Sequence, residues 1–240
     1  MRFTTRSKVK DIAISDQRAR RVLEDAGLDY CCGGGKSLHD ACSGAGVPAD
    51  EILERLRKNS GEANAHVANW TSAPLCDLTR HIREKHHRYV RSAIPQIQKL
   101  LAKVKAKHGS AHPEIAVIEE LFEKIARDMI MHMQKEEQIL FPYIDAVERA
   151  TRAGGPVEPP SFQAVRNPIQ AMMREHDSAG DLVRQIRSAT NGYSLPEHAC
   201  ASFQALYEDL QRFESDLHEH VHLENNVLFP RGIEAEAAIL

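Results

Sequence analysis

Strand-like alternation of apolar and polar residues is nearly absent from this chain, which excludes sandwiches, barrels and parallel-sheet folds. Aromatic residues are also scarce, at 5% with a single tryptophan. No apolar run is long enough to span a bilayer, and the opening MRFTTRSKVKDIAISDQRAR lacks the apolar core of a signal peptide. Excess charge of either sign is missing as well. The formal net charge of −3 supplies no basic field for nucleic acid or an anionic membrane, so neither partner is expected. The five cysteines lack the spacing of a secreted disulfide framework, so a reduced cytoplasmic setting is expected.

Histidine is what the chain has in excess: thirteen in 240 residues. Imidazole is the commonest metal ligand, so the positions of the histidines carry the functional question. Helical periodicity dominates throughout. Residues 8–58 read as short helices, one of them DQRARRVLEDA with Ser15 as cap and Gly27 as stop. The polar, unpatterned stretch up to Pro74 reads as a linker. The expected organisation is therefore a small N-terminal helical domain over 1–60, a linker over 61–74 and a larger helical domain over 75–240.

Four long helices are expected in the larger domain. The first runs from about Leu75 to Lys107, kinked at Pro95, and the second from about Pro113 to Arg149. The third opens at Asn167-Pro168, and the fourth begins at Ser194 and fades near Arg231-Gly232. Short turns and one longer crossover fit an antiparallel four-helix bundle, so the fold class is all-α. An internal repeat strengthens this reading. HMQKEEQILFP at 132–142 matches HVHLENNVLFP at 220–230, offset by 88 residues throughout. Two copies of one helical hairpin would converge at the centre.

Along the buried stripes, histidine and glutamate interrupt apolar residues. The second helix has His132 and Glu136 in line with Phe122 and Met129, and the fourth has His220 and Glu224 in line with Phe213 and Leu217. The third has His176 between Met172 and Val183. A glutamate on such a stripe costs several kcal/mol unless it is paired or metal-bound. Two H-x-x-x-E pairs in register, with a histidine on each remaining helix, favour metal. On the first helix, three-four spacing slightly favours His86 and repeat alignment favours His87, and spacing leaves both open. Four histidines and two glutamates are too many for one tetrahedral zinc. Nitrogen–oxygen ligation suits non-haem iron, or manganese in its place, and the histidine-rich set points to a hemerythrin-like centre.

These residues, together with DYCCGG (29–34), W-x-S-A-P-L (70–75), E-H-D-x-A-G (175–180) and L-E-N-N-V-L-F-P-R (223–231), resemble the iron–sulfur cluster repair di-iron (RIC) family over nearly the whole chain. Five motifs in this order are highly specific, though each alone is weak. The resemblance implies a short N-terminal domain ahead of a hemerythrin-like bundle. It implies a carboxylate-bridged pair of iron ions on His87, His132, Glu136, His176, His220 and Glu224, with Glu136 and Glu224 as bridges. Helix one is thereby decided for His87, leaving His86 at the surface or behind the ligands. It further implies a cytoplasmic protein, often a homodimer, that helps restore iron–sulfur clusters damaged by oxidants or nitric oxide. Its clients would be the damaged iron–sulfur proteins, and it would donate iron more than turn over a substrate. The alternative is a nitric oxide or oxygen binding protein or sensor, and nitric oxide reduction is a further one.

Glu175, beside His176, is a candidate proton carrier, although a solvated position is expected for it. His218 and His222 flank His220 at an angle that should face them to solvent. Cys76 and Cys200 read as small buried groups. Cys31 and Cys32 seldom could bridge each other, because neighbouring Cα atoms lie ~3.8 Å apart and a disulfide needs about 4.4–6.8 Å. Backed by three glycines, they are candidates for redox, iron or sulfur handling. Amides of the glycine turn are expected to lower the thiol pKa.

Overall fold

A computed structural model describes residues 3–15, 17–59, 69–155, 157–158 and 160–239. Most of the expected linker, residues 61–68, lies outside them. The described residues are all-α, with one isolated antiparallel bridge between Lys8 and Ser37 and no strand. Two compact units separate: Met1–Pro74 with His218–Arg231, and Leu75–Leu217 with Gly232–Leu240.

The first unit holds α1 (Val9–Ser15), α2 (Gln17–Asp25), α3 (Leu38–Ala45) and α4 (Ala49–Lys58). Ser37 caps α3 by accepting the Asp40 amide, and Gly46 closes it with φ of 69°. Ile12, Leu23, Leu38 and Ile52 are fully buried and make its core. Ser15 ends α1 and donates its hydroxyl to the Ile12 carbonyl instead of capping α2.

In the second unit, α5 (Leu75–His81), a π-helix (Ile82–His87) and α6 (Arg88–His108) form one continuous rod. A second rod joins α7 (Glu114–Lys135), a π-helix (Glu136–Leu140) and α8 (Phe141–Ala153). The third is α9 (Arg166–Ala189), and the fourth is α10 (Ala201–Leu223), followed by a π-helix (Glu224–Leu228) and α11 (Phe229–Ala237); of this fourth rod, His218–Arg231 belongs to the first unit. Gln98–Glu123 and Lys105–Glu119 pair α6 with α7 in antiparallel register, and Arg187–Glu214 pairs α9 with α10. Phe122 meets Phe213 edge-on at 5.3 Å in the middle of the four-helix bundle.

Three expectations about the rods change. α6 runs unbroken through Pro95. The fourth rod starts at Ala201, because Asn191, Gly192 and Tyr193 have φ of 50°, 67° and 63° and Pro196 disfavours helical backbone at Leu195. It also continues past Gly232 to Ala237, and a Cβ at Gly232 would stand 3.4 Å from the Ile144 side chain.

Candidate metal centre

The three π-helices coincide with the residues of interest. Each holds an extra residue in its turn, the form helices often take at functional sites. The first changes the reading of helix one: with the wider turn, His86 and His87 both face inward and both are fully buried.

In the second unit, His87, His132, Glu136 and His176 are gathered and almost wholly buried. The Glu136 carboxylate faces two different imidazoles, with Oε1 3.3 Å from His132 Nε2 and Oε2 3.4 Å from His87 Nε2. His132 Nε2 and His176 Nε2 lie 2.9 Å apart. His132, Glu136 and His176 each offer a ligand atom within 4.8 Å of the others.

Carboxylates behind the rings set their tautomers. Glu137 takes His87 Nδ1 at 2.7 Å and Glu175 takes His132 Nδ1 at 2.8 Å. An Nδ1–H donated to a carboxylate leaves the lone pair on Nε2, the arrangement that orients metal-binding histidines. The His132 hydrogen bond outweighs partial burial and, with Lys135, holds the Glu175 carboxyl at about 2. Burial raises Glu137, but hydrogen bonds from Arg91 and His87 outweigh it and keep the carboxyl below its usual range. Glu175 is therefore half-buried against His132 instead of solvated. His86 turns its Nδ1 to Asp216 Oδ1 at 2.9 Å.

His132 and His87 thus turn Nε2 toward the Glu136 carboxylate across 3.3–3.4 Å. Such contacts repel unless a proton or cation lies between them. The donors are imidazole nitrogen and carboxylate oxygen in a dry setting, the ligand chemistry of non-haem iron. By this measure the residues fit the metal.

In the first unit, His220 and Glu224 are fully buried, with His220 Nε2 3.0 Å from Glu224 Oε1. The loop bearing Cys31 and Cys32 is held by the same stretch. Asn226 Nδ2 donates to the Tyr30 and Cys31 carbonyls at 3.2 Å each, and Asn225 Nδ2 reaches the Cys31 carbonyl at 3.5 Å. Tyr30 packs edge-on against His222, which is buried at 2% exposure and not solvent-facing; desolvation pushes its imidazole down to about 4. Asp29, which no helical spacing marks, folds back so that Oδ1 accepts the Cys31 and Cys32 amides at 3.1 and 2.9 Å.

That loop corrects the expectation for Cys31. The Cys31, Cys32 and Gly33 amides serve Asp29. The hydrogen bond to Cys32, then burial and the negative charge of Asp29, push the Cys31 thiol well up. Cys200 departs the other way. It is half-exposed at the head of α10, with Sγ 3.2 Å from His108 Nε2, and the Phe203 amide leads the groups that pull its thiol down. Cys76 is also only partly buried.

Comparison with known proteins is decisive for the family. The hemerythrin HHE cation binding domain matches residues 79–231, and a domain of unknown function, DUF542, matches residues 5–60. A probable iron-sulfur cluster repair protein from Haemophilus influenzae is 36% identical over 226 residues, covering 93% of this chain and 95% of its own. The chain belongs to the iron–sulfur cluster repair protein family. The iron-sulfur cluster repair protein YtfE of Pectobacterium atrosepticum is 34% identical over 234 residues, covering 94% of this chain and 96% of its own. That of Escherichia coli is 32% identical over 226 residues. As a member with a hemerythrin-like bundle, the chain has buried histidine–glutamate clusters that fit a di-iron site. No helix among the described residues is long and apolar enough to cross a membrane.

Proposed function

We propose that this protein repairs iron–sulfur clusters damaged by oxidative or nitrosative stress, supplying iron held in its bundle. His87, His132, Glu136, His176, His220 and Glu224 would hold two iron ions, with Glu136 and Glu224 as the bridging carboxylates. The observation that carries the reading is Glu136, each oxygen of which faces a different Nε2. The 88-residue repeat gives Glu224 the equivalent place beside His220. The names of the relatives support the repair function, with damaged iron–sulfur proteins as clients.

When bound, the iron pair supplies both transferable metal and a position for a small ligand such as nitric oxide or oxygen. The chain's own residues do the rest. Glu137 and Glu175 hold His87 and His132 with Nε2 inward, and Phe141, stacked on the His87 ring at 5.7 Å, shields that donor from water. A mixed imidazole–carboxylate set releases iron more readily than a closed thiolate site, which suits donation. The working form is a cytoplasmic homodimer.

Iron-loaded protein mixed with a dehydratase whose cluster has been damaged should restore its activity above a free-iron control. His132→Ala should not. Recovery no better than free iron would remove the donation reading. Tight, stoichiometric nitric oxide binding without iron loss would favour the sensor instead.

A further inference from the structure

Outside the bundle donors, one more set of metal-ligating side chains converges. Asp29, Cys31 and Cys32 each offer a ligand atom within 4.8 Å of the other two. Cys31 Sγ lies 4.0 Å from Cys32 Sγ and 3.3 Å from Asp29 Oδ1. A tetrahedral ion with metal–sulfur bonds of about 2.3 Å and metal–oxygen bonds of about 2.0 Å has sulfur–sulfur edges near 3.8 Å and sulfur–oxygen edges near 3.5 Å. The two edges that meet at Cys31 Sγ are therefore within a few tenths of an ångström of that tetrahedron's, and the third, from Cys32 to Asp29, is under 4.8 Å.

We propose that Asp29, Cys31 and Cys32 form a second metal site, which takes one thiophilic divalent cation such as iron(II) or zinc and leaves the fourth position open. Neighbouring residues rarely aim their side chains at one point, and this loop is built to do so. The Cys31 and Cys32 amides fix the Asp29 carboxylate, and Asn225 and Asn226 fix the Cys31 carbonyl. A Cβ at Gly33 would sit 3.2 Å from Asp29 Cγ and Oδ2, so glycine there keeps the carboxylate clear. At Gly34 a Cβ would lie 2.5 Å from the Tyr30 carbonyl, so the close turn admits no side chain.

Binding exchanges two thiol protons for the ion: both S–H bonds break, two metal–sulfur bonds form, and two protons leave to solvent. No oxidant or reductant enters. Three donors make a station from which metal can pass on, whereas structural zinc sites close all four positions. That transit role rests on the repair reading above. Metal binding at the loop does not.

The test is an anaerobic titration of the reduced full-length protein with cobalt(II). Sulfur-to-cobalt charge transfer in the near ultraviolet reports thiolate ligation, and imidazole and carboxylate donors cannot produce it. The band should saturate at one ion per chain, persist in Glu136→Gln and vanish in Cys31→Ser/Cys32→Ser. Asp29→Asn keeps the oxygen that accepts the two amides but drops the charge, so its titration should shift to higher cobalt while its circular dichroism is unchanged. Absence of the band in the unmutated protein would overturn the site, and so would an Asp29→Asn titration identical to it. A normal band in a protein that fails to repair damaged clusters would remove the repair reading and leave this site standing.

Discussion

The Nε2 atoms of His132 and His176 stand 2.9 Å apart. Imidazole nitrogen binds a first-row divalent ion at about 2.1 Å, which places two adjacent octahedral ligands about 3.0 Å apart. That spacing is therefore already the edge of a coordination octahedron. Metal should bind without repacking and should stabilise the fold by mass action. Thermal unfolding should rise on adding iron(II) or manganese(II) to the unmutated protein, and rise much less in His176→Ala. An equal rise in both would place the stabilising metal elsewhere.

Glu175 holds His132 from behind through its Nδ1. Removing such a partner typically costs about 10–100-fold in metal affinity. Glu175→Gln should lose that much in a competition titration while its helical circular dichroism matches that of the unmutated protein. Unchanged affinity would make Glu175 a surface residue in function, whatever its contact.

Glu148 closes the head of α5, accepting the Leu75 amide at 2.6 Å and the Cys76 amide at 2.9 Å. Burial raises this carboxyl, but the Cys76 and Leu75 amides outweigh it and keep it low. A depressed folded pKa gives stability that is present above the unfolded value, about 4.3, and lost as the pH falls through the folded one. Glu148→Gln should therefore destabilise by about 1 kcal/mol at neutral pH, as loss of a helix cap does. Urea denaturation across pH should show the gap constant from neutrality down to the unfolded value and closing below it.

Among the thiols, Cys200 should react first with iodoacetamide at neutral pH and Cys31 last, by peptide mass spectrometry of timed samples. The amides at the start of α10 and Lys107 favour the Cys200 thiolate, whereas Cys31 is buried beside Cys32 and Asp29. His108→Ala should slow labelling at Cys200 alone. Uniform labelling of both cysteines would contradict these environments.

The fold was legible because helix periodicity needs only local pattern. The apolar stripe Ile115, Ile118, Phe122, Ile125 and Met129 is buried throughout, and the offset of 88 residues marks the second hairpin. Glu136 and His132 could be paired from sequence because residues four apart share a helix face. His86 and His87 could not be separated, since a 3.6-residue period does not describe the π-turn that buries both. Glu137 and Asp216 escaped notice because their partners are far away in sequence, and an acidic residue on a helix usually faces water. His222 is buried by Tyr30, about 190 residues upstream, which no local pattern reports. Asp29 carried a signal that went unread: an aspartate two residues ahead of adjacent thiols, in a glycine turn, is placed to accept their amides.

Mössbauer spectroscopy of anaerobically purified, iron-loaded protein tests the di-iron centre most directly. In the Cys31→Ser/Cys32→Ser background, two iron ions per chain should give the spectrum of one exchange-coupled pair, lost on adding His132→Ala or Glu224→Ala. Uncoupled iron alone in that background, or a coupled spectrum that survives both substitutions, would contradict a bridged pair held by these six residues.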